Sequence, residues 1–267
     1  MKTNLNLFKN IILLIIIIIS GTFFGLNMLN GISVNEFNEI YLKLWERGLN
    51  GIFLVLYLII IFELSVSKSY SYIDNKFDKN IIIRVGYKKY YLQTIITIFL
   101  SAFIYSLIIH ISIILLMNMF HTFDFTTIAK ERFQHIYFSN NTYLNISIFV
   151  LLSSTGSSIF CTSIYPFLYF IKNKYLCKFI PVLTFFCTII LSFIISPIFQ
   201  NFLLSITGNL EKAKTILCSI IPSSLIEPGC GWYSYALLDF VCGASIYILI
   251  MLFGFCLLKR YRGIHDD

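Results

Sequence analysis

Charge is what this chain has least of. Asp, Glu, Lys and Arg make up 12% of its 267 residues, while 58% are hydrophobic. A soluble domain typically carries about 25% charged residues, so a water-soluble fold of this length would be unable to cover its surface. No GxxxxGK[ST] loop is present to cradle a nucleotide, and there is no HExxH metal motif. The seven cysteines, at 161, 177, 187, 218, 230, 242 and 256, show no close spacing of the zinc or redox kind. Cys161, Cys187, Cys242 and Cys256 lie in apolar runs, where cysteine acts as a small hydrophobe. Cys218 and Cys230 share one loop and are either a disulfide or two free thiols.

What fills the chain instead is six long apolar runs, near residues 8–29, 50–67, 92–119, 143–171, 179–206 and 234–258. A helix needs about 20 apolar residues to cross a ~30 Å hydrocarbon core. The expectation is an all-α polytopic membrane protein with six transmembrane helices, residues 1–267 forming one domain. The first run follows Lys2 and Lys9 and could pass for a signal peptide, with Ser20, Gly21 and Thr22 as the small residues of a cleavage point. Apolarity resumes through Phe23, Phe24, Leu26 and Leu29, so the run is read as a retained span.

The basic residues set the orientation. The N-terminal segment, the loop after the second run, the loop after the fourth and the tail hold 14 of the 20 Lys and Arg. Positive loops stay cytoplasmic, which puts both termini in the cytosol. The sequence pI near 9.0 follows from this bias and does not argue for nucleic acid.

Two connections carry pattern. Between the second and third runs, Ile73, Phe77, Ile81 and Val85 recur every four residues, as on an amphipathic helix lying along the membrane. Between the fifth and sixth, residues 207–233 contain apolar pieces too short to span, such as Ile216 to Ile221. They are interrupted at Pro222 and at Pro228-Gly229, which predicts short helices dipping into the outer leaflet. Trp232, Tyr233 and Tyr235 follow as an interfacial aromatic belt. The external loop at 120–142 reads as a solvated turn with a short helix.

Charged or titratable groups inside a bilayer are costly, and each is a functional candidate. Three qualify: Glu63 at the end of the second run, His110 deep in the third, and Asp239 early in the sixth. Small residues mark two packing faces, Gly21 with Gly25 and the cluster Ser153, Ser154, Gly156, Ser157 and Ser158. Gly156-Ser157 and Gly243-Ala244-Ser245 offer serines of the kind intramembrane proteases use, but the only histidine after them is His265, in the tail. Glu36 and Glu39 sit in an external loop, the wrong depth for an intramembrane acid pair. No enzymatic role and no cofactor are expected.

The layout resembles the permease subunits of ABC-2-type transporters. The likeness is densest from Glu63 to Lys89, with an acidic residue closing the second span and the run Arg84-Val85-Gly86-Tyr87-Lys88-Lys89-Tyr90-Tyr91 before the third. The ending Leu258-Lys259-Arg260-Tyr261-Arg262 is similar to the basic tail of these permeases. The resemblance implies six spans, an amphipathic coupling helix between the second and third, and re-entrant helices between the fifth and sixth. It implies a separate ABC ATPase subunit that binds the ATP, and a second permease chain, identical or not. Contact with the ATPase would fall on Arg84, Tyr87, Lys88 and Lys89, with Glu63 anchoring the helix end through a basic neighbour. Small permeases of Gram-positive bacteria that export antimicrobial peptides, or confer immunity to them, look closest. That implies a plasma-membrane setting and an amphiphilic cargo. In one departure, residues 1–10 leave room for little more than two turns of the amphipathic helix that many members carry before the first span.

Two other readings remain. A stand-alone immunity or sensor protein would need no ATPase. An ion-coupled secondary transporter would be expected to show internal repeats and mid-membrane charges, and neither is found.

Overall fold

The structure is a computed structural model, and it describes residues 2–27, 37–47, 51–75, 77–121, 138–139, 141–171, 173–228 and 236–261. Six of its helices are long and apolar enough to cross a membrane, which makes this a multi-pass all-α protein. The spans are Leu7–Asn27, Ile52–Asp74, Tyr87–Phe120, Thr142–Phe170, Tyr175–Thr207 and Ala236–Tyr261.

In chain order the helices are α1 (Lys2–Asn27), α2 (Phe37–Arg47), α3 (Ile52–Asp74), α4 (Phe77–Val85), α5 (Tyr87–Phe120) and α6 (Thr142–Ile164). A 3-10 segment, Tyr165–Phe170, extends α6. Then come α7 (Lys174–Thr207), α8 (Leu210–Cys218), α9 (Ser223–Ile226) and α10 (Ala236–Tyr261). Helix starts follow local chemistry. Asn141, Asn173 and Asn209 each turn a side-chain oxygen onto two backbone N–H groups at the heads of α6, α7 and α8, satisfying donors that no helical carbonyl reaches.

The spans divide into inner and outer helices. α3 and α6 bury most of their surface, whereas α1, α7 and α10 leave most of theirs uncovered. The uncovered residues are apolar, for example Ile15 on α1, Phe186 and Ile190 on α7, and Leu249 and Phe253 on α10. With lipid as solvent there is no reason to hide them. α5 joins the layers, packing on α6, α3 and α1. Gly21 and Gly25 serve as the packing face expected of them: a Cβ at either would collide with Ile113 or Met117 of α5.

Two features differ from the sequence expectation. The stripe of Ile73, Phe77, Ile81 and Val85 is not carried on one helix, because α3 ends at Asp74 and α4 starts afresh at Phe77. On α4, Phe77 and Val85 face outward and Ile83 is 83% exposed, while Asp78 is buried and Ile81 and Ile82 rest on the core. The break sets Ile73 apart on α3, while Phe77, Ile81 and Val85 keep their four-residue spacing on α4.

The second difference is larger. The connection after the first span contains α2, a helix for which the apolar runs offer no signal. Phe37, Ile40, Tyr41, Leu42, Leu44 and Trp45 are all buried, and the helix packs against α1 and α3. Glu36 and the side chain of Glu39 fall outside the described residues, as do Trp232, Tyr233, Tyr235, Cys230 and nearly all of the 120–142 loop.

Candidate functional site

The interior of the bundle holds a polar network, to which α2 contributes Tyr41. Tyr41 Oη lies 2.5 Å from His110 Nδ1, and His110 Nε2 lies 2.9 Å from Ser153 Oγ. Ser153 Oγ in turn sits 2.5 Å from the Ile226 carbonyl of α9. The proton positions follow from the chemistry of each group. A carbonyl only accepts, so Ser153 donates to Ile226. Ser153 must then accept from His110, which places the imidazole proton on Nε2. Nδ1 is left as an acceptor, and Tyr41 donates to it. One neutral tautomer satisfies every group from α2 through α5 and α6 to α9.

The same arrangement bears on nucleophilic chemistry. Ser153 and His110 touch as a serine nucleophile and its base would, but with the roles reversed. The histidine donates, and the hydroxyl proton is committed to a carbonyl. A general base needs a free lone pair facing the hydroxyl, and both side chains are fully buried. The pair is a structural bond.

A second set adjoins the first. Tyr57 Oη lies 2.7 Å from Ser106 Oγ and 2.8 Å from Ser157 Oγ, and Ser106 reaches Ser154 at 3.1 Å. Aromatic rings close round His110. Trp45 stacks on it at 4.4 Å between centroids, and Tyr41, Tyr57 and Phe149 approach edge-on near 6.3 Å, 6.3 Å and 6.2 Å. The Ser153–Ser158 cluster is thus a packing face with a polar purpose. Gly156 adds the close approach, since a Cβ there would lie 2.0 Å from the Leu225 carbonyl oxygen.

His110 is visible in the sequence as a candidate; its partners Tyr41 and Trp45 are not. They follow Phe37 at helical spacing, with Ile40 and Leu44 between, which is the i, i+3, i+4, i+7, i+8 signature of a buried helix face.

At the end of the bundle where α1 begins, Glu63 pairs with Lys9 of α1 and with Lys178 of α7, the latter at 3.5 Å. The expected basic neighbour is therefore two neighbours, from two helices. The run before the third span divides by chemistry. Tyr90 and Tyr91 are buried, with Tyr91 against Tyr169 and Phe255, and Tyr87 is half-buried against Tyr91. Arg84, Lys88 and Lys89 are exposed. Gly86 makes the turn between them with φ 86° and ψ 152°, a backbone that side chains rarely tolerate.

Asp239 is buried in the first turn of α10, where a negative charge meets the positive end of the helix dipole. It also acts on Cys218 of α8, whose thiol is pushed up mainly by burial and then by the Asp239 charge, against an opposing pull from Lys214. Among the described residues no three of His, Cys, Asp and Glu gather as a metal site requires.

Compared with protein-family models, with curated proteins and with solved structures, the chain finds no match in any of the three.

Proposed function

We propose that this chain is the membrane-spanning permease subunit of an ABC-2-type exporter, set in a bacterial plasma membrane with both termini in the cytosol. The observation that carries the reading is the elbow between α4 and α5. Its tyrosines are anchored in the bundle while Arg84, Lys88 and Lys89 project from it. A basic projection held on a rigid aromatic root, between the second and third spans, suits a docking element for a soluble ATPase. Closure of the ATPase would push α4, and the push would pass to α3 and α5, on which α4 packs.

The ATP would be bound and hydrolysed on that separate subunit, and a second permease chain would complete the pathway. α8 and α9 would be the re-entrant helices on the outer side, α8 seated against α7 and α10 and α9 against α6 and α10. Glu63, held by Lys9 and Lys178, would fix α3 relative to α1 and α7 during the stroke. The cargo would be amphiphilic, for example a membrane-active peptide exported for secretion or immunity, because the spans offer apolar and hydroxyl surface.

The test is a detergent pull-down of the tagged chain with mass spectrometry of what stays bound. A stoichiometric P-loop ATPase, lost when Arg84, Lys88 and Lys89 are changed to Gln, supports the reading. Recovery of the chain alone, under conditions that keep known transporters assembled, would replace it with a stand-alone immunity or sensor protein.

A further inference from the structure

Beside the Glu63 cluster a cavity of about 710 Å³ opens between α1, α3, α5 and α7. That volume lies within the roughly 300–1,000 Å³ range of small-molecule sites. Its charged rim is Lys9 and Lys178, 44% and 42% exposed at the side chain, with Glu63 between them at 12%. These three charges sum to a net positive, and the exposed Lys68 and Asp74, which also line the cavity, cancel each other. Each rim ammonium has more N–H donors than the one Glu63 occupies. The hydroxyls of Ser69, Ser101 and Tyr105 also line the space and, among the described residues, hydrogen-bond to no protein group. Ammonium groups with spare N–H donors, together with hydroxyl donors lining one cavity, are what a phosphate-type anion requires.

Depth and surroundings indicate where that anion comes from. Lys9 and Lys178 stand in the first turns of the spans Leu7–Asn27 and Tyr175–Thr207, the level at which lipid phosphates lie. Beyond them α1 exposes Ile12 and Ile15, and α7 exposes Phe179 and Leu183, giving apolar surfaces along which acyl chains can lie. We infer that this crevice binds the phosphate headgroup of an anionic phospholipid between Lys9 and Lys178, with its tails on the outer faces of α1 and α7. The inference is independent of the transporter reading, because it concerns binding alone.

The experiment is native mass spectrometry of the full chain in detergent, doped with phosphatidylglycerol or phosphatidylcholine of the same acyl chains. Glycerol phosphate serves as the tail-free probe. Phosphatidylglycerol should be retained over phosphatidylcholine by roughly tenfold, as two lysines near a membrane surface allow. The preference should vanish in K9Q/K178Q and rise in E63Q, which frees both ammonium groups. S101A/Y105F, which removes only hydroxyls, should weaken retention severalfold, and it decides the question if the lysine variant does not fold. An unchanged preference in K9Q/K178Q, or, where that variant does not fold, unchanged phosphatidylglycerol retention in S101A/Y105F, would overturn the site. Glycerol phosphate binding as well as the lipid would overturn the lipid assignment in favour of a soluble phosphate ester.

Discussion

The Trp45 indole lies on the His110 imidazole with 28° between the ring planes, so a residue of the first connection is stacked on the middle of the third span. Deleting either ring opens a hole where Tyr41, Tyr57 and Phe149 also converge. Trp→Ala in a core costs about 3–5 kcal/mol, whereas a hydrogen bond between membrane helices averages about 0.6 kcal/mol. Packing therefore outweighs polarity here. W45A should be the more damaging change, and H110F, which keeps a ring but loses two hydrogen bonds, the milder one. Thermal unfolding in detergent, followed by tryptophan fluorescence for H110F and by size-exclusion recovery for both, checks the order.

Gly156 and Gly21 make a second comparison. A methyl at Gly156 meets the backbone oxygen of Leu225, whereas one at Gly21 meets the tip of Ile113. A side-chain tip can rotate away and a helix backbone cannot. G156A should displace α9 and cost more than the ~1–3 kcal/mol usual for overpacking, while G21A stays near the lower bound. Heat-step recovery of the two variants should separate them clearly.

Cys218 gives a chemical readout. The thiolate is the reacting form, and a thiol pushed up by burial and by Asp239 presents less of it at any pH below its midpoint. Alkylation near neutral pH should be slow relative to the unfolded chain and should speed up in D239N. In a background with the other cysteines replaced, equal rates in the two proteins would remove Asp239 as a cause.

The orientation has its own measurement. The proposed orientation has both termini on one side of six spans, with the basic loops and that side in the cytosol. Alkaline phosphatase fused to either end should be inactive, and fused after α8 it should be active.

The spans are legible because a bilayer imposes a length and a polarity that no tertiary contact overrides. The helix of the second span outruns its apolar stretch, since Ser67 to Asp74 continue α3 as a polar helix that hydropathy does not register. α2 is hidden for a related reason. Eleven residues with Lys43, Glu46 and Arg47 among them look like a loop to a search for apolar length, although Phe37, Tyr41 and Trp45 repeat at helical spacing. The hydrogen-bond partner of His110 is not legible at all. Ser153 is 43 residues away, and nothing local in the sequence encodes that meeting.

The seat of α2 also constrains how the protein is made. Its partners His110 and Phe149 belong to the third and fourth spans, which leave the ribosome well after α2 does. Until those spans insert, α1 and α3 cover part of the apolar face of α2, and the part that meets His110 and Phe149 has no partner. Closing the interior is thus a late step of assembly, and a chain stopped after its second span would hold α2 against α1 and α3 but leave Tyr41 and Trp45 without His110.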